Sequence, residues 1–141
     1  MKKQTKLGIL IFVIIVLIPV GIGLVYHIEN FVLPTFKVHS DFRQVSGTPW
    51  RTVAQIREAG LGNCSDLTFV LLDDLKSEHS IFLVTEKGGR LHAAAMVGNV
   101  VMDPTIPSVG QYKNYMRGRT LVDMIPKSRV NAYVHMEVFT K

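Results

Sequence analysis

The clearest feature of the hydrophobic pattern is an uninterrupted apolar run near the N-terminus. Residues 7–26 read LGILIFVIIVLIPVGIGLVY and contain no charged side chain. A run of this length is enough for one helix to cross a bilayer, and Pro19 is tolerated in a spanning helix. The pattern therefore predicts one N-terminal transmembrane helix, with residues 1–26 forming a cytoplasmic tip and an anchor.

The charges on either side of the run predict its orientation. Lys2, Lys3 and Lys6 precede it, and Glu29 is the first charged residue after it. Lysine-rich flanks stay on the cytoplasmic side. We therefore expect a single-pass protein of the inner (cytoplasmic) membrane, with its C-terminal part in the periplasm or an equivalent extracytoplasmic space.

A cleaved signal peptide is the alternative interpretation of the same run. A signal peptide has a shorter apolar region and a cleavage site of small residues. The stretch Gly21-Ile22-Gly23 fits such a site poorly. The pattern favours an uncleaved anchor and leaves cleavage open.

The next segment has less regular periodicity. Residues 27–48 contain helix breakers and predict a tether, which leaves residues 49–141 as one small domain. Thr48-Pro49 resembles a helix start, and Val53 and Ile56 follow at helical spacing.

A second helix has a stronger signature. Asn63 is a good N-cap, and Asp66 in the first turn suits the helix dipole. Beyond them an apolar stripe follows at helical spacing, formed by Leu67, Val70, Leu71 and Leu75. Cys64 then becomes the first residue of a buried helix.

The rest of the domain reads mostly as strands. Residues 79–84 predict one strand, and residues 91–97 and 100–103 predict two more, joined at Gly98-Asn99 as a two-residue hairpin. Residues 109–116 suit a short helix or an ordered loop, residues 121–125 are ambiguous, and residues 131–140 alternate like a last strand. The predicted fold class is α+β, with N-terminal helices packed on an antiparallel sheet.

The net charge of +5 arises largely from the N-terminal tip, which carries three of the 16 basic residues. The remainder has 13 basic and 11 acidic side chains. This balance is not typical of a nucleic-acid-binding domain. We therefore expect no nucleic-acid partner.

Cys64 is the single cysteine, so it cannot form an intramolecular disulfide. A lone cysteine followed by a histidine and an aspartate is a candidate nucleophile. The hairpin register would place Ala94 opposite Asp103, and His92 and Asp103 would then share one face as diagonal neighbours. The roles follow: Cys64 attacks a carbonyl, His92 moves the proton, and Asp103 orients the imidazole.

Two other kinds of site are alternatives to this triad. A zinc site at Cys64, His79 and His92 is disfavoured because paired ligand spacing is missing, so no metal and no cofactor is expected. The basic-aromatic stretch Tyr112, Lys113, Tyr115, Arg117 and Arg119 could line a groove or touch anionic headgroups. A solvated loop is the favoured interpretation of this stretch.

Three short boxes resemble the core of the transglutaminase-like superfamily, and most closely the bacterial transglutaminase-like cysteine peptidases. They are Gly62-Asn63-Cys64-Ser65-Asp66, Leu91-His92-Ala93 and Val101-Met102-Asp103-Pro104-Thr105. The resemblance implies a papain-like core and thiol acyl chemistry on amide bonds. It also implies a second oxyanion donor upstream of the cysteine, for which Trp50 and Gln55 are the candidates. Adhesin-cleaving members carry acidic, calcium-linked residues where this chain has Asn63 and Ser65, so no such calcium requirement is expected.

Together these features predict a membrane-anchored extracytoplasmic cysteine hydrolase. It would act on amide bonds of a protein or peptide through Cys64, His92 and Asp103 and a thioester acyl-enzyme, with residues 7–26 in the membrane. The alternative is a catalytically weak domain of the same fold that binds a protein partner at the membrane. The sequence leaves open the substrate, the acyl acceptor and the oligomeric state.

Overall fold

The computed structural model describes residues 13–47 and 51–133. It begins with one long helix, α1, over Ile14–Asp41, which is long and apolar enough to cross a membrane. Within α1 the segments Ile18–His27 and Leu33–Asp41 are α-helical, and Val13–Leu17 and Ile28–Val32 form π-helical turns. The part of α1 before Tyr26 belongs to the apolar run.

The second half of α1 is part of the folded domain, which differs from the tether expected over residues 27–48. Thr35 and Val38 are fully buried, and Phe31 and Phe42 pack against the same core. Phe31, Thr35 and Val38 form one stripe along the helix at spacings of four and three residues, and Phe42 follows directly after the helix end with an extended backbone. Pro34 does not stop the helix, because it follows a π-helical turn in which the Leu33 N–H donates to the Ile28 carbonyl.

Two short helices follow, separated by a small parallel bridge. Strand β1 (Arg43–Gln44) pairs with β2 (Leu61–Gly62), and helix α2 (Val53–Ala59) lies between them. Helix α2 has Thr52 as its N-cap. The predicted helix start at Thr48-Pro49 lies outside the described residues. Helix α3 (Cys64–Asp74) then starts where the sequence predicts.

Within the described residues the main sheet has five antiparallel strands in the order β6-β5-β4-β3-β7. Their bounds are β3 Ile81–Lys87, β4 Arg90–Val97, β5 Val100–Asp103, β6 Ser108–Gln111 and β7 Thr120–Pro126. Helix α4 (Tyr112–Tyr115) follows β6, and helix α5 (Lys127–Tyr133) follows β7. The predicted α+β class, with helices packed on an antiparallel sheet, is confirmed.

The predicted hairpin register is confirmed, since Val97 pairs with Val100 and Ala95 with Met102. The last predicted strand is wrong over residues 131–133, which are helical in α5, and residues 134–140 lie outside the described part. Alternation alone could not separate these states, because a short segment carries few repeats of either period.

The two faces of the sheet pack differently. Helix α3 covers the face that presents Phe82, Val84, Ala93 and Ala95. The opposite face presents Leu83, Ala94, Met96 and Val101, and Tyr112 and Tyr115 from the region of α4 pack against it. This division places α3 and α4 on opposite sides of β4.

Candidate active site

The start of α3 is built by the four residues around Cys64. The Asn63 side chain accepts a hydrogen bond from the Asp66 N–H (3.0 Å), and Asp66 Oδ2 accepts one from the Asn63 N–H (3.1 Å). This reciprocal capping box satisfies two N–H groups that the helix itself cannot pair. It sets Cys64 as the first helical residue, half-buried.

Gly62 is required by close packing just before the cap. A Cβ atom at this position would lie 2.6 Å from Asp66 Cβ and 2.9 Å from Leu67 Cδ1. Both atoms belong to the first turns of α3, so the chain can approach the helix start this closely only with glycine.

Arg51 supports the capping carboxylate from outside the box. Its Nη2 donates to Asp66 Oδ2 (2.9 Å) and to the Leu61 carbonyl (2.8 Å), and both ionic side chains are nearly buried. The sequence interpretation of Asp66 as a helix-start residue agrees with this arrangement. It missed Arg51, because no short-range pattern links a residue before α2 to the start of α3.

His92 and Asp103 are in direct contact, as the hairpin register predicts. His92 Nε2 donates to Asp103 Oδ2 at 2.6 Å, and the Asp103 side chain is fully buried. Because Nε2 is engaged by the carboxylate, Nδ1 is the ring nitrogen left for another partner. This bond sets the orientation of the imidazole.

Two further residues donate hydrogen bonds to the Asp103 carboxylate, and the sequence analysis predicted neither contact. Thr105 donates to Asp103 Oδ1 from its backbone N–H (3.0 Å) and from Oγ1 (2.7 Å). The Tyr115 hydroxyl donates to Asp103 Oδ2 (3.4 Å). The sequence Asp-Pro-Thr does contain a signal for the contact with the Thr105 N–H, since an Asp side chain often accepts a hydrogen bond from the backbone N–H two residues later.

Tyr115 corrects the interpretation of residues 112–119 as a solvated loop. Its ring is partly buried against the sheet, and the Arg119 guanidinium lies 4.5 Å from the ring centroid. Lys113 and Arg117 are exposed. The stretch therefore combines an exposed basic part with one tyrosine that reaches the candidate site.

Cys64 lies close to His92 although α3 packs on one face of the sheet and the His92 side chain lies on the other face. His92 alternates with Ala93, which faces α3, and shares parity with Ala94 on the other face. The ladder between β4 and β5 ends at the pair Ala95–Met102, whereas the ladder between β4 and β3 extends as far as Arg90. The edge of β4 at His92 and Ala93 therefore lies beyond that ladder, and there the Cys64 thiol lies close enough to the His92 side chain and the Ala93 backbone for both to affect its pKa.

The three ionisable groups shift one another's pKa values. Burial raises the pKa of the Cys64 thiol, but the hydrogen bonds from His92 and Ala93 and the charge of His92 outweigh it, so the pKa lies below its ordinary value. Burial lowers the pKa of His92, but Asp103 and Cys64 raise it to about 9. For Asp103, burial is outweighed by His92 and Thr105, and its pKa lies below the usual range. These directions favour a thiolate beside an imidazolium.

The predicted oxyanion donors have different outcomes. The Gln55 side chain is exposed, and its Oε1 accepts a hydrogen bond from the Thr52 N–H (2.8 Å) in the capping box of α2. Gln55 is therefore used to cap its own helix, and Trp50 lies outside the described residues. In the described ranges, no group of three or more His, Cys, Asp or Glu side chains is placed to hold a metal ion.

Comparison with known proteins identifies a similar fold but no sequence relative. No family model matches the chain, and no curated protein matches it. Among solved structures, Legionella pneumophila LapG is similar with a TM-score of 0.54 at 12% identity, covering 66% of this chain and 64% of LapG. Its calcium-bound form is similar with a TM-score of 0.52 at 10% identity, with the same coverage.

The chain thus spans 64% of the LapG chain that it matches. The resemblance to the transglutaminase-like superfamily and to its bacterial cysteine peptidases stays a prediction. At this identity the likeness concerns the fold, and the chain has an α+β fold similar to the transglutaminase-like fold of LapG.

Proposed function

We propose that this protein is a membrane-anchored cysteine hydrolase that cleaves amide bonds of a protein or peptide. The contact of His92 with both the Cys64 thiol and the buried Asp103 carboxylate carries this proposal. A nucleophile, a base and an orienting acid in hydrogen-bond reach are the parts that acyl transfer needs. The coarse likeness to LapG, a transglutaminase-like cysteine protease, supports the same chemistry.

The first half of the reaction uses the ion pair. The Cys64 thiolate attacks the substrate carbonyl carbon, and the carbonyl electron pair moves onto oxygen. Backbone N–H groups in the first turn of α3 are the proposed oxyanion donors, because first-turn N–H groups lack intrahelical partners. His92 then gives its proton to the leaving amine, and a thioester with Cys64 forms as the C–N bond breaks.

The second half restores the enzyme. Neutral His92 takes a proton from water, the hydroxide oxygen attacks the thioester, and the Cys64 sulfur leaves as thiolate. Asp103 stays ionised and holds Nε2–H throughout, so Nδ1 is the atom that exchanges the proton. Thr105 and Tyr115 hold the carboxylate during both halves.

The anchor and compartment belong to the same proposal. Helix α1 is long and apolar enough to cross a membrane, and the lysines before residue 7 favour a cytoplasmic N-terminus. The domain would then act outside the cytoplasm, in the periplasm or an equivalent space.

The proposal is tested by thiol reactivity and by turnover together. Iodoacetamide alkylation of Cys64, the single cysteine, would be measured against pH beside hydrolysis of a fluorogenic peptide library. We expect His92→Ala to slow hydrolysis by about 10²–10⁴-fold and to return the thiol to an ordinary pKa near 8.5. Asp103→Asn should act in the same direction, and Cys64→Ser should abolish both signals.

Matched controls are available in the same chain. His79 is exposed and does not belong to the proposed triad, and Asp73 is exposed and pairs with Arg57. His79→Ala and Asp73→Asn should therefore leave both the alkylation rate and the hydrolysis rate unchanged. A Cys64 thiol that reacts slowly with iodoacetamide, at a rate that His92→Ala does not change, would overturn the enzyme proposal. That outcome would favour the alternative, a protein-binding module at the membrane.

A further inference from the structure

The long helix joins the membrane segment to the domain without a flexible linker. It is continuous from Ile14 to Asp41. Thr35 and Val38 are buried in the domain, and the Thr35 hydroxyl donates to the Phe31 carbonyl of the same helix. Because this part of α1 packs into the core, the orientation of the domain relative to the helix axis is fixed. The direction of the other elements can therefore be compared with that of α1.

Helix α3 runs back along α1 in the opposite direction. Its last residue, Asp74, lines an open groove beside residues 29–40 of α1, before the end of that helix. Its first residue, Cys64, follows β2, which pairs with the chain just after the end of α1 at Arg43–Gln44. The C-terminal end of α3 therefore lies on the membrane side, and Cys64 lies at the far end.

The contacts of the strands with α1 indicate the same orientation of the domain independently. His39, near the end of α1, donates from Nδ1 to the Pro104 carbonyl (3.3 Å), directly after Asp103. Strand β6, which pairs with β5, also contacts the earlier turn Ile28–Val32. From that turn to His39 the helix rises about 13 Å, and from Val100 to Pro104 a strand spans about 13 Å. The Gly98–Asn99 hairpin and Gln111 thus lie near the membrane end, and His92 and Asp103 lie away from it.

We propose that α1 holds the candidate active site at a set height above the bilayer, facing away from it, so that the substrate is a polypeptide segment displayed at that height. Residues 27–41 rise about 22 Å along the helix axis beyond the apolar run. The headgroup layer occupies only about 5–8 Å of this distance. The height of the site rests on the membrane anchoring proposed above and does not depend on catalysis by Cys64, whereas the substrate class rests on the proposed hydrolase activity as well.

This geometry narrows the class of substrate. A bond within the headgroup layer, directly beside a membrane exit point, lies below the site and out of its reach. The reachable class consists of extended segments of soluble polypeptides, or of membrane proteins whose target bond lies about 20 Å above the hydrocarbon edge. A tether over residues 27–48, as the sequence predicts, would impose no such limit if its chain were flexible.

The height can be measured with two reporter cysteines in the full-length chain. In a Cys64→Ser background, Asn99→Cys places a thiol in the membrane-side hairpin and Lys87→Cys places one in the opposite hairpin. Both positions are exposed, and β4 between them spans about 23 Å. The chain would be reconstituted in phosphatidylcholine vesicles containing a maleimide lipid with either a short or a long polyethylene glycol spacer.

With the short spacer we expect Asn99→Cys to react at least about 10-fold faster than Lys87→Cys, since a tether that cannot span the distance gives almost no effective concentration. With the long spacer, and with a soluble maleimide, the two rates should be similar. Equal rates with the short spacer, or a faster Lys87→Cys, would overturn the proposal. Reaction with the soluble reagent alone would overturn the anchoring too, while the alkylation and hydrolysis tests of Cys64 would still stand.

Discussion

The pKa values of Cys64 and His92 shift in opposite directions. The pKa of the thiol lies below its ordinary value, and that of His92 rises to about 9. Both directions favour a thiolate beside an imidazolium. Since the groups are coupled, the pKa values that an experiment reports belong to the pair.

This coupling predicts different pH profiles for alkylation and for hydrolysis. Alkylation needs only the thiolate, so its rate should rise at a pH below the ordinary thiol value and remain high above pH 9. Hydrolysis also needs the imidazolium proton for the leaving amine, so it should fall as pH rises through about 9. Iodoacetamide rates and peptide turnover measured from pH 5 to pH 11 test this difference, and a hydrolysis rate that stays level from pH 8 to pH 11 would contradict it.

At the scale of elements, the start of α3 depends on the fit between Gly62 and the first turn. The capping box of Asn63 and Asp66 and the ion pair between Asp66 and Arg51 hold the same turn. Any displacement here moves Cys64 relative to His92. Stability and thiol reactivity should therefore change together when the turn is disturbed.

We expect Gly62→Ala to destabilise the fold by about 1–3 kcal/mol, the usual cost of forcing extra volume into a packed site. Gly110→Ala is the matched control, because nothing lies within 4 Å of its added Cβ and its backbone is not in the left-handed region. Urea unfolding and the alkylation rate of Cys64 would be measured for both. A neutral Gly62→Ala with normal reactivity would show that the close approach is not needed.

At the scale of the whole molecule, α1 serves both as the proposed anchor and as a wall of the core. Its stripe of Phe31, Thr35 and Val38 faces the domain, while Leu33 and Phe36 are exposed. The hydrophobic contribution of this stripe should appear in the stability of a soluble fragment that begins at residue 27.

In that fragment, Val38→Ala should lower the free energy of unfolding by roughly 1–3 kcal/mol, from lost burial and a residual cavity. Leu33→Ala, at an exposed position of the same helix, should change it by less than about 0.5 kcal/mol. Denaturant unfolding measures both. Equal, small effects would mean that this half of α1 does not belong to the core.

Features that depend on neighbouring residues could be predicted from the sequence. The cap at Asn63 and Asp66 is a contact across three positions, and the Gly98-Asn99 turn sets the register that brings His92 to Asp103. Features that depend on packing could not. Pro34 and the other breakers suggested a tether because helix propensity is local, whereas burial of Thr35 and Val38 stabilises the helix through tertiary contacts.

By itself, the sequence determined the apolar run, the helix start at Cys64 and the shared face of His92 and Asp103, because each follows from short-range periodicity or turn chemistry. Only the tertiary structure decided that Cys64 reaches His92 at the edge of β4, that Tyr115 and Arg51 support the site, and that the site lies at the end of the domain away from the apolar run. These relations join segments far apart in the chain. Their geometry depends on how helices and sheet pack, and residue spacing contains no information on that.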